Sequence, residues 1–174
     1  MGSKKKSLLV RAILFTLLAI FIGMSWHFSS QTGVESNLIS AKYAKAVEEY
    51  IGRYFIINTG DTFWNTTLNQ IIRKMAHFFE YLLIGLIMCI MLNVIFEAIW
   101  IAALGSMLFS SLLGCIDEYH QIFTLGRTPR WFDIQVDSAG ALIGIAMATI
   151  FFCIFNYIQN LNRKIDELEK DKFM

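Results

Sequence analysis

The chain has 174 residues, of which 56% are hydrophobic and only 17% charged, whereas a soluble domain carries about 25% charged residues. That excess of apolar side chains is too large for one aqueous core and points to lipid as the solvent. The formal net charge of +1 says nothing about nucleic acid, but no basic patch interleaves with aromatics and no base-reading motif is present, so nucleic acid is not expected as a partner.

The predicted elements are four apolar runs, each near the ~20 residues that cross a bilayer. The first covers about 8–28. Arg11 lies near one end of it, where a long cationic side chain can reach the interface. No small-residue cleavage site follows, so this helix is expected to stay in the chain as an anchor. A long loop over 29–74 comes next. Within it Ile39, Tyr43, Ala46 with Val47, Tyr50 and Tyr54 recur at helical spacing, with Lys42, Lys45, Glu48, Glu49 and Arg53 between them. The pattern predicts a short amphipathic helix that either lies on the membrane surface or caps the bundle. Asn65-Thr66-Thr67 matches a glycosylation sequon, a motif too frequent by chance to carry weight.

The second run covers about 75–96, the third about 99–121 and the fourth about 134–158. The expected fold class is therefore all-α. It is an integral membrane bundle of four transmembrane helices in a single domain over 1–174, with an amphipathic helix in the first extracytoplasmic loop. Cys89, Cys115 and Cys153 all fall inside apolar runs, so they read as small packing residues and not as a disulfide framework or a zinc site.

Orientation follows from lysine and arginine. Lys4, Lys5, Lys6 and Arg11 flank the first run, and Arg163, Lys164, Lys170 and Lys172 follow the last. The positive-inside rule puts both termini in the cytoplasm and turns 29–74 and 119–133 outward. The rule is only weakly obeyed, because Arg73, Lys74, Arg127 and Arg130 sit at outward helix starts. Basic residues held against the usual bias suggest a task such as holding an anion.

The polar residues of the runs gather at those same outward ends. Arg73, His77 and Glu80 share one helical face, with Lys74 and Tyr81 beside it. Asp117, His120 and Gln121 share a face with Gly114, and Glu118 is adjacent. Asp133, Asp137, Gly140 and Gly144 run down one face of the fourth helix, where small residues admit a close neighbour. An ionisable group at the bilayer centre costs at least about 2.5–3.5 kcal/mol, so such groups turn inward and pair. One shared cluster is expected, with the basic residues opposite the carboxylates. The bland alternative is that the charges only lock the helices in register. Gathering at one end argues against it, since glue would be spread along the bundle.

These residues resemble a known pattern. Arg73-Lys74-x-x-His77-Phe78-x-Glu80-Tyr81, then Asp117-Glu118-x-His120-Gln121-x-Phe123, then Gly126-Arg127, Asp133 and Asp137-x-x-Gly140 are similar to the VanZ-like family, as is Ser29-Ser30-Gln31 after the first run. The resemblance extends in order from the first helix to the fourth. It implies a small bacterial membrane protein, in a family whose namesake is associated with low-level resistance to teicoplanin, a glycopeptide antibiotic with a lipid tail. It implies no settled reaction.

Three chemistries fit. In the first, a site binds or modifies an anionic membrane lipid, a lipid-linked cell-wall precursor or a lipoglycopeptide. Arg73, Lys74, Gln121, Arg127, Asp133, Ser30 and Gln31 would hold the ligand, because arginine forks grip phosphate or carboxylate bidentately. His77, Glu80, Asp117, Glu118, His120 and Asp137 would form the acid–base centre, because histidine titrates near neutral pH. The second is a metal site built on His77-x-x-Glu80 and Asp117-x-x-His120. It ranks lower because basic neighbours oppose a cation, and no metal ligand is assigned. The third is a non-catalytic interaction or shielding protein, since no nucleophile elbow is present. Transport is weaker still for four helices.

Overall fold

A computed structural model describes residues 2–52 and 62–172. Of the residues expected on the amphipathic helix, Arg53 and Tyr54 lie outside it, as does the side chain of Asn65 in the sequon. The described chain is five helices: α1 (Gly2–Ser29), α2 (Gly33–Gly52), α3 (Thr62–Phe96), α4 (Ile99–Gln121) and α5 (Trp131–Lys172). Four of them, α1, α3, α4 and α5, are long and apolar enough to cross a membrane. The all-helical bundle with four spanning helices is thus the observed architecture.

The element lengths depart from the sequence expectation in a consistent direction. A hydropathy window registers only the lipid-facing part of a helix, whereas the backbone hydrogen-bond ladder propagates past it once nucleated. So α3 starts at Thr62, thirteen residues before the predicted start at 75, and its 35 residues rise about 50 Å. Likewise α5 continues past 158 to Lys172.

Helix α3 is the centre of the bundle and packs against all four others. On one side Leu18, Ile84, Ile87 and Met88 form a buried cluster backed by Phe109 and Leu113, joining α1, α3 and α4. On the other, Cys89, Ala102, Ile145 and Ala148 join α3, α4 and α5. The α3–α5 contact is closest. A Cβ on Gly140 would run into the carbonyl oxygen of Phe78, and one on Gly144 into that of Leu82. Glycine there lets the two backbones meet, which is how helices gain dispersion energy where lipid offers no hydrophobic drive. The neighbour admitted by the small-residue face of α5 is therefore α3.

Turns at the two ends of the bundle differ. At one end Glu97, with φ 53°, turns α3 into α4. Nearby, the Arg11 guanidinium donates to the Val94 carbonyl at 3.1 Å, capping the last turn of α3 from α1. At the other end the 122–130 loop folds across the start of α2: the Gly33 N–H donates to the Leu125 carbonyl at 2.9 Å. Gly126 there has φ +74°, a conformation that disfavours a side chain, and a Cβ on Gly33 would collide with the Gly126 carbonyl. These two glycines set the loop against α2.

Helix α2 packs on α3, but not through its apolar stripe. The buried face is Ser36, Ser40 and Ala44, whereas Ile39, Tyr43, Val47 and Tyr50 are exposed. The Ser40 hydroxyl is satisfied within the helix, donating to the Ser36 carbonyl at 2.8 Å. Small side chains allow α2 to approach α3 closely and leave the aromatic face turned away from the protein. That arrangement suits a helix with its apolar side towards lipid.

Candidate functional site

The end of the bundle away from Glu97 holds the polar residues, and each arrives there for a local reason. Arg73, Lys74 and His77 lie three to four turns into α3, level with the ends of its neighbours. The last turns of α4 carry Asp117, Glu118 and Gln121, and the first turns of α5 carry Asp133 and Asp137. Adjacent antiparallel helices bring the start of one beside the end of the next. Helix α4 turns a small-residue stripe of Ala102, Ser106, Ser110 and Gly114 inward, and that same buried face ends in Asp117, Glu118 and Gln121.

The result is a polar cleft in two parts. Its inner part is a small cavity lined by Arg73, Lys74, His77, Glu118, Gln121, Arg127, Asp133 and Asp137. Its outer part is an open space of about 440 Å³ bordered by Asn37, Asn69, Gln70, Arg73, Arg127 and Arg130. Arg73 and Arg127 also border a third, more apolar hollow with His77, Glu80 and Tyr43. The two arginines therefore stand where all three spaces meet.

The acidic centre is deep. Asp117 and Asp137 are 3% and 2% exposed. Ligand atoms of His77, Asp117 and Asp137 all lie within 4.8 Å of one another. Gln121 Nε2 donates to Asp117 Oδ2 at 3.0 Å. Glu118 Oε2 accepts from the Arg130 backbone N–H at 2.9 Å, so its carboxylate sits at the start of α5, where the helix dipole favours negative charge.

The basic residues are engaged around this centre. Lys74 Nζ pairs with Asp133 Oδ1 at 2.5 Å and lies 4.2 Å from the centre of the Phe132 ring. Arg127 donates from Nε to the Gln31 carbonyl at 3.2 Å and from Nη2 to the Phe28 carbonyl at 3.0 Å. It thereby ties together carbonyls at and just past the end of α1, the Phe28 one also accepting the Gln31 N–H at 3.4 Å. Burial, and then the neighbouring Arg73 guanidinium, hold the Arg127 pKa below its ordinary value, yet an arginine stays charged in a protein. Arg73 Nη1 reaches Asn37 Oδ1 at 3.5 Å, a long contact.

Not every residue singled out in the sequence joins the centre. His120 turns to α1, where its Nε2 is 3.0 Å from the Ser30 hydroxyl and its ring stacks on Trp26 at 4.2 Å. Ser30 also donates to the Trp26 carbonyl at 2.7 Å. Gln31 enters through its backbone carbonyl alone among the contacts described for it with Arg127. Glu80 borders the apolar hollow with His77, and its Oε1 is buried with no hydrogen-bond partner among the described residues. Asn37, Asn69 and Gln70 border the outer cleft without having been expected there. Asn37 carried a signal in principle, since it adjoins the small-residue face of α2. Without knowing that α2 docks by that face, it reads as one more loop polar residue.

No curated protein and no solved structure matches the chain. A family model described as VanZ/LLP1 matches residues 8–152, which take in every residue of the cleft. The match agrees with the ordered motifs at the helix ends: the chain belongs to the VanZ/LLP1 family.

Proposed function

We propose that the cleft binds the anionic headgroup of an envelope lipid or lipid-linked wall precursor at the outward face of a bacterial membrane. In this reading the protein contributes to protection against lipid-tailed glycopeptides such as teicoplanin. The observation that carries it is one polar cleft bordered by Arg73, Arg127 and Arg130 at the end of an apolar bundle. A guanidinium has five donors. Arg127 uses two on carbonyls, which leaves others for a phosphate or carboxylate gripped bidentately. The apolar faces beside the cleft, with Tyr43 and Ile39 at its edge, give an acyl or prenyl tail a surface. His77, Glu80, Asp117, Glu118 and Asp137 form the acid–base side of the same site, for a reaction on the bound ligand. His120, held by Ser30 and Trp26, positions α1.

The test is protection of a susceptible host from teicoplanin by the parent, Arg73→Lys, Arg73→Ala and Glu80→Gln, with membrane levels measured in parallel. Arg73 is the cleaner choice because its own contact in the protein is long. Lysine keeps the charge but loses the fork, so Arg73→Lys should lose protection nearly as fully as Arg73→Ala. The loss expected is about tenfold, the worth of one good charge-assisted bond of about 1.4 kcal/mol. If all three variants reach the membrane and protect like the parent, the charged residues only hold the helices in register.

A further inference from the structure

His77, Asp117 and Asp137 come one each from α3, α4 and α5, so no spacing in the chain marks them as a set. Their ligand atoms nonetheless lie within 4.8 Å of one another. An ion about 2.0–2.2 Å from each of three such ligands holds them about 3–4 Å apart, so a small inward rotation of the side chains completes a coordination shell. A second observation is independent of that spacing. Asp137 is 2% exposed and its Oδ1 has no hydrogen-bond partner among the described residues. Asp117 beside it is 3% exposed and accepts one hydrogen bond, from Gln121. A buried carboxylate that stays ionised is paired with a cation or coordinates a metal, because desolvation of a lone charge is otherwise too costly.

Protein cations do not meet that demand. The one ion pair among the described residues joins Lys74 to Asp133. Arg127 is aimed at the carbonyls of Phe28 and Gln31, and Arg73 at Asn37. The basic residues that argued against a cation in the sequence line the same cavity, but their hydrogen bonds and ion pair go to other groups. The pairs that suggested a metal there, His77 with Glu80 and Asp117 with His120, are not the ones that converge, since His120 is bound to α1.

We propose that His77, Asp117 and Asp137 hold a divalent first-row cation, Mn²⁺ or Zn²⁺, whose open positions take oxygens of a phosphate-bearing headgroup; this last part rests on the function proposed above, with Glu80 and Glu118 then left as its acid–base groups. One imidazole and two carboxylates are a mixed nitrogen–oxygen set that suits these ions. Three protein ligands leave room for an outside oxygen. Gln121 orients Asp117 as an outer-shell partner. Arg73 and Arg127 border the same cavity and flank a phosphate that the ion draws in.

The test uses the full chain in phosphatidylcholine nanodiscs, titrated with Mn²⁺ and followed by electron paramagnetic resonance. About one Mn²⁺ per chain is expected, displaced by Zn²⁺, with a nitrogen coupling from the imidazole that disappears in His77→Ala. Asp117→Asn and Asp137→Asn should each weaken binding at least about tenfold, the scale on which metal-site partners act. The parent spectrum needs no variant to fold. A parent that binds neither ion stoichiometrically, or Mn²⁺ without nitrogen coupling, overturns the site. Polyprenyl phosphate is then added with Mn²⁺ or with chelator. Tighter binding with Mn²⁺ supports site and ligand together. Metal bound at the triad with no polyprenyl phosphate binding leaves the site standing and removes the headgroup reading. Polyprenyl phosphate bound equally in chelator overturns the bridging cation and leaves the headgroup reading in place.

Discussion

Arg127 has a structural task that is separate from the ligand-binding role proposed for it. It is half-buried between α1, the 122–130 loop and the cleft, and two of its N–H groups donate to the Phe28 and Gln31 carbonyls at the end of α1. Hydrogen bonds to charged groups contribute about 1.5–3 kcal/mol each when burial removes the competing water. Lysine is a point donor on a flexible stem and cannot reach both carbonyls in one plane. Arg127→Lys and Arg127→Ala should therefore both destabilise the protein, by about 2 kcal/mol, measured as thermal unfolding in detergent. If Arg127→Lys melts with the parent, the two carbonyl contacts contribute little and the residue serves the ligand alone. Arg73 lacks such contacts, so its replacement should leave the melting temperature close to that of the parent while protection falls. The two arginines look alike in the sequence, and what separates them is the backbone each one meets.

At the scale of elements, α2 is the informative case. Thr32 and Glu35 form a reciprocal capping box at its start. The Thr32 N–H donates to Glu35 Oε2 at 2.9 Å, and the Glu35 N–H donates to Thr32 Oγ1 at 3.3 Å. The backbone and then the side chain of Thr32 hold the Glu35 carboxyl below the ordinary carboxylate range. A folded-state pKa that is lowered means the carboxylate form is the stabilising one. The contribution is present at neutral pH and fades as pH falls through the lowered folded value. Hydrogen exchange of α2 amides should accelerate relative to α4 as the pH is taken from about 7 to about 3, after correction for intrinsic rates. Glu35→Gln should flatten that dependence; an equal response in parent and variant would place the acid sensitivity elsewhere. Thr32-x-x-Glu35 is written in the chain, but the periodic pattern read from Ile39 onward did not use it, so the start of α2 at Gly33 comes from the structure. So does the docking face. Period 3.6 marks Ile39, Tyr43 and Val47 as the apolar side, but in a bilayer the apolar side has two possible partners, protein and lipid.

At the scale of the molecule, four spanning helices return the chain to the side from which it started. Basic residues at both tails argue that this side is the cytoplasm. With Cys89, Cys115 and Cys153 replaced by serine or alanine, single cysteines at Ser3 and Asp171 should resist an impermeant thiol reagent in intact cells and react after permeabilisation. Labelling of either from outside would invert the bundle and place the cleft on the inner face. The tail of α5 beyond 152 lies outside the family match and continues as helix to Lys172, so a cysteine at Asp171 reports from an ordered segment well clear of the cleft.

Composition and patterning alone determined that the chain is a four-span helical membrane protein. Lipid leaves backbone groups no partner outside the helix, so a run of about 20 apolar residues has one way to fold. They also determined that the polar residues gather at one end, because ionisable groups crowd the helix termini that share a side. Tertiary structure alone decided which of those groups meet. Side-chain periodicity orders residues on one helix but holds no information about the rotation of the next. The convergence of His77, Asp117 and Asp137 is fixed by glycine contacts between α3 and α5 and by the small-residue face of α4. The departure of His120 towards Ser30 and Trp26 and the capture of α1 carbonyls by Arg127 depend on backbone positions that no residue spacing encodes.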